Sequence, residues 1–163
     1  MTPLKIRQAD INDLEFITTI ESTCFPAAEA AERDSILARL TVYPKGFFIA
    51  EIDKHIIGFI NGACTNGPTI EDKYFESMDN HLDSGKHLMV FGLDVHPGHQ
   101  HKGYARQLMN HFIDFARAEE KAAILLTCKE HLVHYYESFG YLNEGQSASS
   151  HGGAIWYDMK LSL

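Results

Sequence analysis

The stretch Leu93-Asp94-Val95-His96-Pro97-Gly98-His99-Gln100-His101-Lys102-Gly103-Tyr104-Ala105-Arg106 decides the fold. Leu88 to Val95 reads as a strand, and His96-Pro97-Gly98 ends it. From Gly103 a helix is predicted to about Glu120, with Leu108, Phe112, Phe115 and Glu119 marking its stripe. The first N–H groups of such a helix have no intrahelical acceptor, and the helix dipole adds partial positive charge there. Gln100-x-x-Gly103-x-Ala105 therefore offers a pyrophosphate a row of donors. Gly103 lets phosphates approach the backbone, and Lys102 adds a point charge. An ordinary strand-to-helix connection reads the same way. The stretch is neither GxGxxG nor GxxxxGK[ST], so dinucleotide and P-loop readings lose support.

Outward from this turn the periodicities alternate. Leu4 to Arg7 reads as a strand, followed by a helix capped by Asp10 with Ile11, Leu14, Ile17 and Ile20 on one stripe. A second helix is expected over Glu32 to Leu40, and a hairpin over Phe47–Ile52 and His55–Ala63 turning at Asp53-Lys54. Gly67 to Gly85 is polar, with a helical turn or two near Tyr74. Past the long helix come a buried strand Ala123–Cys128 and a short helix Leu132–Phe139 stopped by Gly140. Strands Tyr141–Gln146 and Ile155–Leu161 follow, flanking the loop Ser147–Gly153. The expected architecture is one mixed α/β domain over residues 1–163, about seven strands with helices on both faces.

Composition limits the function classes. The chain has 163 residues, 45% apolar and 22% charged, with a formal charge of −8. Such an acidic balance disfavours nucleic acid as a partner and suits a cationic small molecule. Three widely spaced cysteines build no disulfide framework. The amino terminus lacks a secretory signal, and the longest strongly apolar run, Ala122 to Leu126, is far short of the roughly 20 residues of a membrane span. A cytoplasmic protein, away from membranes, monomeric or homodimeric, is expected.

Together with Gln100-x-x-Gly103-x-Ala105, the downstream run Tyr135-Tyr136-Glu137-Ser138-Phe139-Gly140-Tyr141 resembles the GNAT superfamily of acetyl-CoA-dependent N-acetyltransferases. The first motif is similar to its pyrophosphate loop, the second to its Y-E-x-x-G-[FY] signature, and the element order agrees over nearly the whole chain. Glu21-Ser22-Thr23-Cys24-Phe25-Pro26, Leu93-Asp94-Val95-His96 and Cys128-Lys129-Glu130-His131-Leu132-Val133 further resemble the arylalkylamine (serotonin) N-acetyltransferase group. The tail Ser149 to Tyr157 is closer to that group's bacterial members.

The resemblance implies a mixed sheet splayed at the acetyl-CoA site and direct acetyl transfer to a primary amine. Acetyl-CoA is the expected co-substrate, with no metal. Leu93, Asp94, Val95, Gln100, His101, Lys102, Gly103, Tyr104, Ala105 and Arg106 are then the coenzyme contacts. Main-chain N–H groups near Leu93 to Val95 would hold the developing oxyanion. Tyr136 matches the general acid, whereas Tyr135 is expected to point elsewhere. Phe25 and Pro26 match an aromatic-lined acceptor pocket, with His151 at its rim. The base is the departure: Met89 and Phe91 stand where the animal enzymes carry histidines. An alkylamine with a pKa of about 10 still has to lose its proton. His87, on the same strand face, is the candidate, with His151 second.

Arylalkylamines lead as acceptors, polyamines follow, and a peptide or protein amine stays open. A non-catalytic acetyl-CoA sensor is the rival from another class. His96-x-x-His99-x-His101 and His131-x-x-His134 have ligand-like spacing without a carboxylate or cysteine partner. His151-Gly152-Gly153 follows Gly145-Gln146-Ser147-Ala148-Ser149 in the wrong order for an esterase, and that run lacks the closing glycine of GxSxG. Cys128 with His131 is a weak nucleophile pair, since a buried thiol is usually inert.

Overall fold

The computed structural model describes residues 3–163. Strand β1 (Lys5–Gln8) leads into a single 3-10 turn, Ile11–Asp13, and only then into helix α1 (Leu14–Cys24). Asp10 caps that turn: its side chain accepts from the Asn12 N–H at 2.7 Å, while Asp13 Oδ2 accepts from the Asp10 N–H at 2.8 Å. Arg7 grips both oxygens of Asp13 at 2.9 Å, a forked pair that fixes α1 against β1. Burial alone would raise the Asp13 pKa, but the Arg7 bonds and the Asp10 N–H together hold it below the ordinary carboxylate value.

Helix α2 (Arg33–Val42) follows, then strands β2 (Phe47–Ile52) and β3 (His55–Thr65). Asp53 and Lys54 both take positive φ, +50° and +67°, as a two-residue hairpin loop requires. The polar segment contributes α3 (Asp72–Glu76) and a 3-10 turn, Met78–Asn80. Strand β4 (His87–Val95), helix α4 (Tyr104–Ala118) and strand β5 (Ala123–Cys128) form the parallel crossover unit. The expected helix at Leu132–Phe139 is instead a 3-10 turn, Glu130–Leu132, and a short α5 (Val133–Glu137). Strands β6 (Leu142–Gln146) and β7 (Tyr157–Ser162) close the sheet. β7 begins two residues late because Gly152 and Gly153 adopt positive φ and the Trp156 indole donates back to the His151 carbonyl at 2.9 Å.

The seven strands run in the order β1-β2-β3-β4-β5-β7-β6, with β4–β5 the one parallel neighbour pair. Helices cover both faces. Ile17, Ile20, Ile36 and Leu40 from α1 and α2 bury Phe47, Ile49 and Phe59 on one side. Leu108, Met109, Phe112 and Ala116 of α4 anchor the larger core on the other. Close approach on the α4 face demands glycine: a β-carbon at Gly62 would stand 1.7 Å from the Met89 carbonyl oxygen. The β3–β4 register shifts at that point, between Asn61 and Gly62, leaving Phe91 as the extra residue of a bulge.

Two stability outcomes follow. Gly62→Ala should cost about 2–4 kcal/mol in urea denaturation, since both the bulge and its neighbour are backbone and cannot yield. Asp13→Asn should be less stable than the parent at neutral pH. Because the folded Asp13 pKa is depressed, the deficit should shrink as the pH falls below about 4, where the parent also protonates this carboxyl.

Candidate functional site

β4 and β5 pair only through His87–Ala123, Leu88–Ile124 and Met89–Leu125. Beyond Met89 the bulge at Phe91 adds twist and the strands part. From Val90 to Val95, the edge of β4 facing β5 has no ladder partner. A sheet cannot leave such an edge dry without cost, so the opening is a place for guest hydrogen bonds. The split widens into a cavity of about 890 Å³.

The start of α4 opens into the same cavity. Gly103 occupies the left-handed region at φ +85° and provides no side-chain cap. A β-carbon there would meet no atom within 4 Å. Among the described residues, none of the main-chain N–H groups from His101 to Arg106 donates to protein. His101, itself at φ +63°, helps curl the loop so that these donors precede the helix. This is the donor row that an anion such as a diphosphate needs.

Most of the residues singled out from sequence meet on this cavity wall: Leu93, Asp94, Val95, Gln100, His101, Gly103, Tyr104, Ala105 and Arg106, with Tyr136, Phe25, Pro26 and His151. Their roles divide. The Gln100 side chain donates to the Val95 carbonyl at 2.9 Å and braces the loop on the strand. Arg106 lies 4.2 Å over the Phe139 ring and donates to Ser138 Oγ at 2.7 Å. His151 stacks on Phe75 and bonds the Glu29 carbonyl at 2.9 Å, so its ring belongs to a wall tying the tail loop to the α1–α2 loop. Gly152 permits that seam, since a β-carbon there would lie 2.6 Å from Glu29 Cγ.

Three expectations need correction. Lys102 is exposed and does not line the cavity. Tyr135 does line it, its ring 5.2 Å from that of Tyr136, rather than pointing elsewhere. His87 is buried, and its Nδ1 is bonded to the Gly67 carbonyl at 2.7 Å. It lies four residues, roughly 13 Å, before Phe91 and is absent from the cavity wall, because the polar segment after β3 folds over it.

Tyr136 lines the cavity, and among the described residues no hydrogen bond reaches its hydroxyl. Burial, reinforced by Cys128, Tyr135 and Asp94, raises its pKa, so it holds its proton at neutral pH. Deeper in the cavity lies a group that the sequence did not single out as a unit: Glu21 of α1, Arg39 of α2 and Asp94 of β4. All three are buried. Both Asp94 oxygens and Asn61 Oδ1 have no hydrogen-bond donor. Desolvation first, then Glu21, pushes the Asp94 pKa well up, with Arg39 opposing. Burial lowers Arg39 to about 10 despite the two carboxyls. The available signal was charge in an apolar stripe: Glu21 continues Leu14 and Ile17 at helical spacing, and Arg39 falls between Ile36 and Leu40.

Among the described residues, no cluster of three or more His, Cys, Asp or Glu is placed to hold a metal. No helix among them is long and apolar enough to cross a membrane.

The model of the acetyltransferase (GNAT) family matches residues 14–141. The chain is 24% identical over 128 residues to the probable hydrolase YhcX of Bacillus subtilis (strain 168), covering 74% of this chain and 25% of that protein. It is 25% identical over 104 residues to human N-acetyltransferase 8, covering 62% and 40%. It thus spans less than half the length of these curated relatives. Among solved structures, the GphF GNAT-like decarboxylase in complex with isobutyryl-CoA superposes with a TM-score of 0.85 at 18% identity, over 97% of this chain and 98% of that one. At that identity the likeness is one of fold.

The thiols give a direct check on the interior. Burial pushes Cys24 up to about 12, aided by Asp94 and Glu21, and Cys128 up to about 11; Cys64 is also raised by burial. Iodoacetamide at pH 8 should leave the folded protein at its parent mass and add three adducts in denaturant. Rapid native labelling of Cys128 would contradict this burial.

Proposed function

The chain belongs to the acetyltransferase (GNAT) family, and on that premise we propose that it transfers the acetyl group of acetyl-CoA to a primary amine of a small molecule. One observation carries the reading: the unpaired N–H groups of His101, Gly103, Tyr104, Ala105 and Arg106 share one cavity with the open edge of β4. A coenzyme needs both, a row of N–H donors for its diphosphate and a free strand edge for the amide groups of its arm. Its thioester would supply the activated acyl carbon.

The chain's own groups have separable tasks. Main-chain N–H groups of the open β4 edge face the developing oxyanion, and being backbone they need no reorganisation. Tyr136 holds a proton for the departing sulfur, since its environment keeps the phenol neutral. Phe25, Pro26, Phe75 and Trp156 make the acceptor end aromatic and apolar, which suits an arylalkylamine. Glu21 places a carboxyl at the same end, so polyamines come second.

Arg39 favours a second reading, decarboxylation of a carboxyacyl thioester. Its guanidinium lies on the cavity wall with a single hydrogen bond, to the Phe75 carbonyl at 3.2 Å, and could seat a carboxylate.

Release of free thiol from acetyl-CoA, followed across a panel of arylalkylamines, polyamines and peptides, decides between these. Tyr136→Phe should lower kcat on the best amine by about 10²-fold with coenzyme affinity retained. Gly103→Ala should weaken coenzyme A binding more than tenfold in calorimetry, because the added carbon enters the space before the N–H row. Tight coenzyme binding with no turnover on any amine would favour a sensor. Consumption of a β-carboxyacyl thioester without amine would favour the decarboxylase.

A further inference from the structure

We propose that Glu21 is the proton acceptor for the incoming ammonium, with Asp94 behind it as a protonated positioning residue and Arg39 as the fixed counter-charge. The proposal rests on the acetyl-transfer reading and supplies the base that reading lacks.

The geometry begins at the bulge. A β-carbon placed on Gly92 would lie 3.3 Å from Asp94 Oδ1 and 3.7 Å from Glu21 Oε1, so both carboxyls crowd one point beside the open strand edge. Glu21 Oε2 is anchored by the Ala31 N–H at 2.8 Å, whereas no donor among the described residues reaches Oε1. Glu21 and Asp94 both line the cavity, yet both Asp94 oxygens are shut off from solvent and partnerless.

Two carboxylates cannot be neighbours in a buried site without a proton between them or a donor supplied from outside. The fully enclosed Asp94 is the one that keeps the proton, and desolvation drives it there. Its O–H can then donate to Glu21 and leave Oε1 as the anionic acceptor on the cavity side. The groups facing this pair from the packed elements are Cys24 of α1, Arg39 of α2, Tyr136 of α5 and Asn61 of β3. Cys24 and Tyr136 stay neutral through the physiological range, so Arg39 is the only cation of the set. Its guanidinium lies 4.9 Å from the Phe91 ring centroid, and Phe91 itself is on the cavity wall.

The proton inventory closes. An N–H bond of the ammonium breaks and an O–H bond forms on Glu21. The freed nitrogen lone pair adds to the thioester carbonyl, and the C–S bond breaks with its electrons left on sulfur. Tyr136 gives sulfur its proton and regains one from the nitrogen as the amide forms. Glu21 then passes its proton to solvent, one per turnover.

Glu21→Gln and Asp94→Asn are isosteric: the first keeps an oxygen for the Ala31 N–H, and the second puts an amide donor beside Glu21. With the best acceptor, kcat/KM should fall by about 10²-fold in Glu21→Gln while coenzyme A affinity stays within threefold. The acid limb of the parent pH profile should keep its position when the acceptor is replaced by one of lower pKa. That limb should shift in Asp94→Asn. Independently of activity, the infrared spectrum of the parent at neutral pH should show the carbonyl band of one protonated carboxylic acid, absent in Asp94→Asn. An acid limb that tracks the acceptor pKa, unimpaired Glu21→Gln, or no such band would overturn the proposal with the acetyl-transfer reading intact. A parent that binds no coenzyme A and releases no thiol would bring down both.

Discussion

Everything in this molecule turns on a hydrogen-bond ladder that stops. β4 and β5 are joined for three residue pairs and then separate, leaving main-chain groups of β4 without partners in the middle of the domain. A parallel pair in the interior of a sheet would ordinarily run on, because unpaired buried backbone is costly. Here the bulge at Phe91 twists the strand away, and Gly62 lets β3 follow it closely on the opposite edge. The cavity, its aromatic lining and the mouth of α4 are arranged around that interruption.

The crossover from β4 to α4 adds the second element. Gln100 ties the loop back to Val95, so the glycine at the cap stays left-handed and the helix begins with bare N–H groups. Rigid bracing matters more here than added cations: Lys102 looks outward, and Arg106 is occupied by Ser138 and Phe139. The positive end of the cavity is therefore mostly backbone. The acidic end, at Glu21, is side chain. An anionic coenzyme and a cationic acceptor would be drawn to opposite ends of one opening.

That opening is also where stability has been conceded. Three ionisable side chains are buried together with no salt bridge among them in the described residues, an arrangement that apolar residues of similar volume would generally improve. Such groups pull their proton affinities in opposite directions, Asp94 upward and Arg39 downward. Perturbation of this kind, in a cleft and beside an unpaired strand edge, marks a candidate site.

Sequence alone was enough for whatever depends on neighbours along the chain: the strand-to-helix turn with its glycine, the Asp10 cap, the Asp53-Lys54 hairpin and the alternation that lays out seven strands. These are local propensities, and short-range sterics decide them. It also marked Tyr136 and most of the loop that ends on the cavity wall. Only the tertiary structure decided that His87 is bonded beneath Gly67, away from the cavity, and that Tyr135 shares the wall with Tyr136. It alone brought Glu21, Arg39 and Asp94 from three separate elements to one place. The reason is that a side chain's charge state and reach are set by what the fold packs against it. Those contacts come from residues tens of positions away, which no periodicity records.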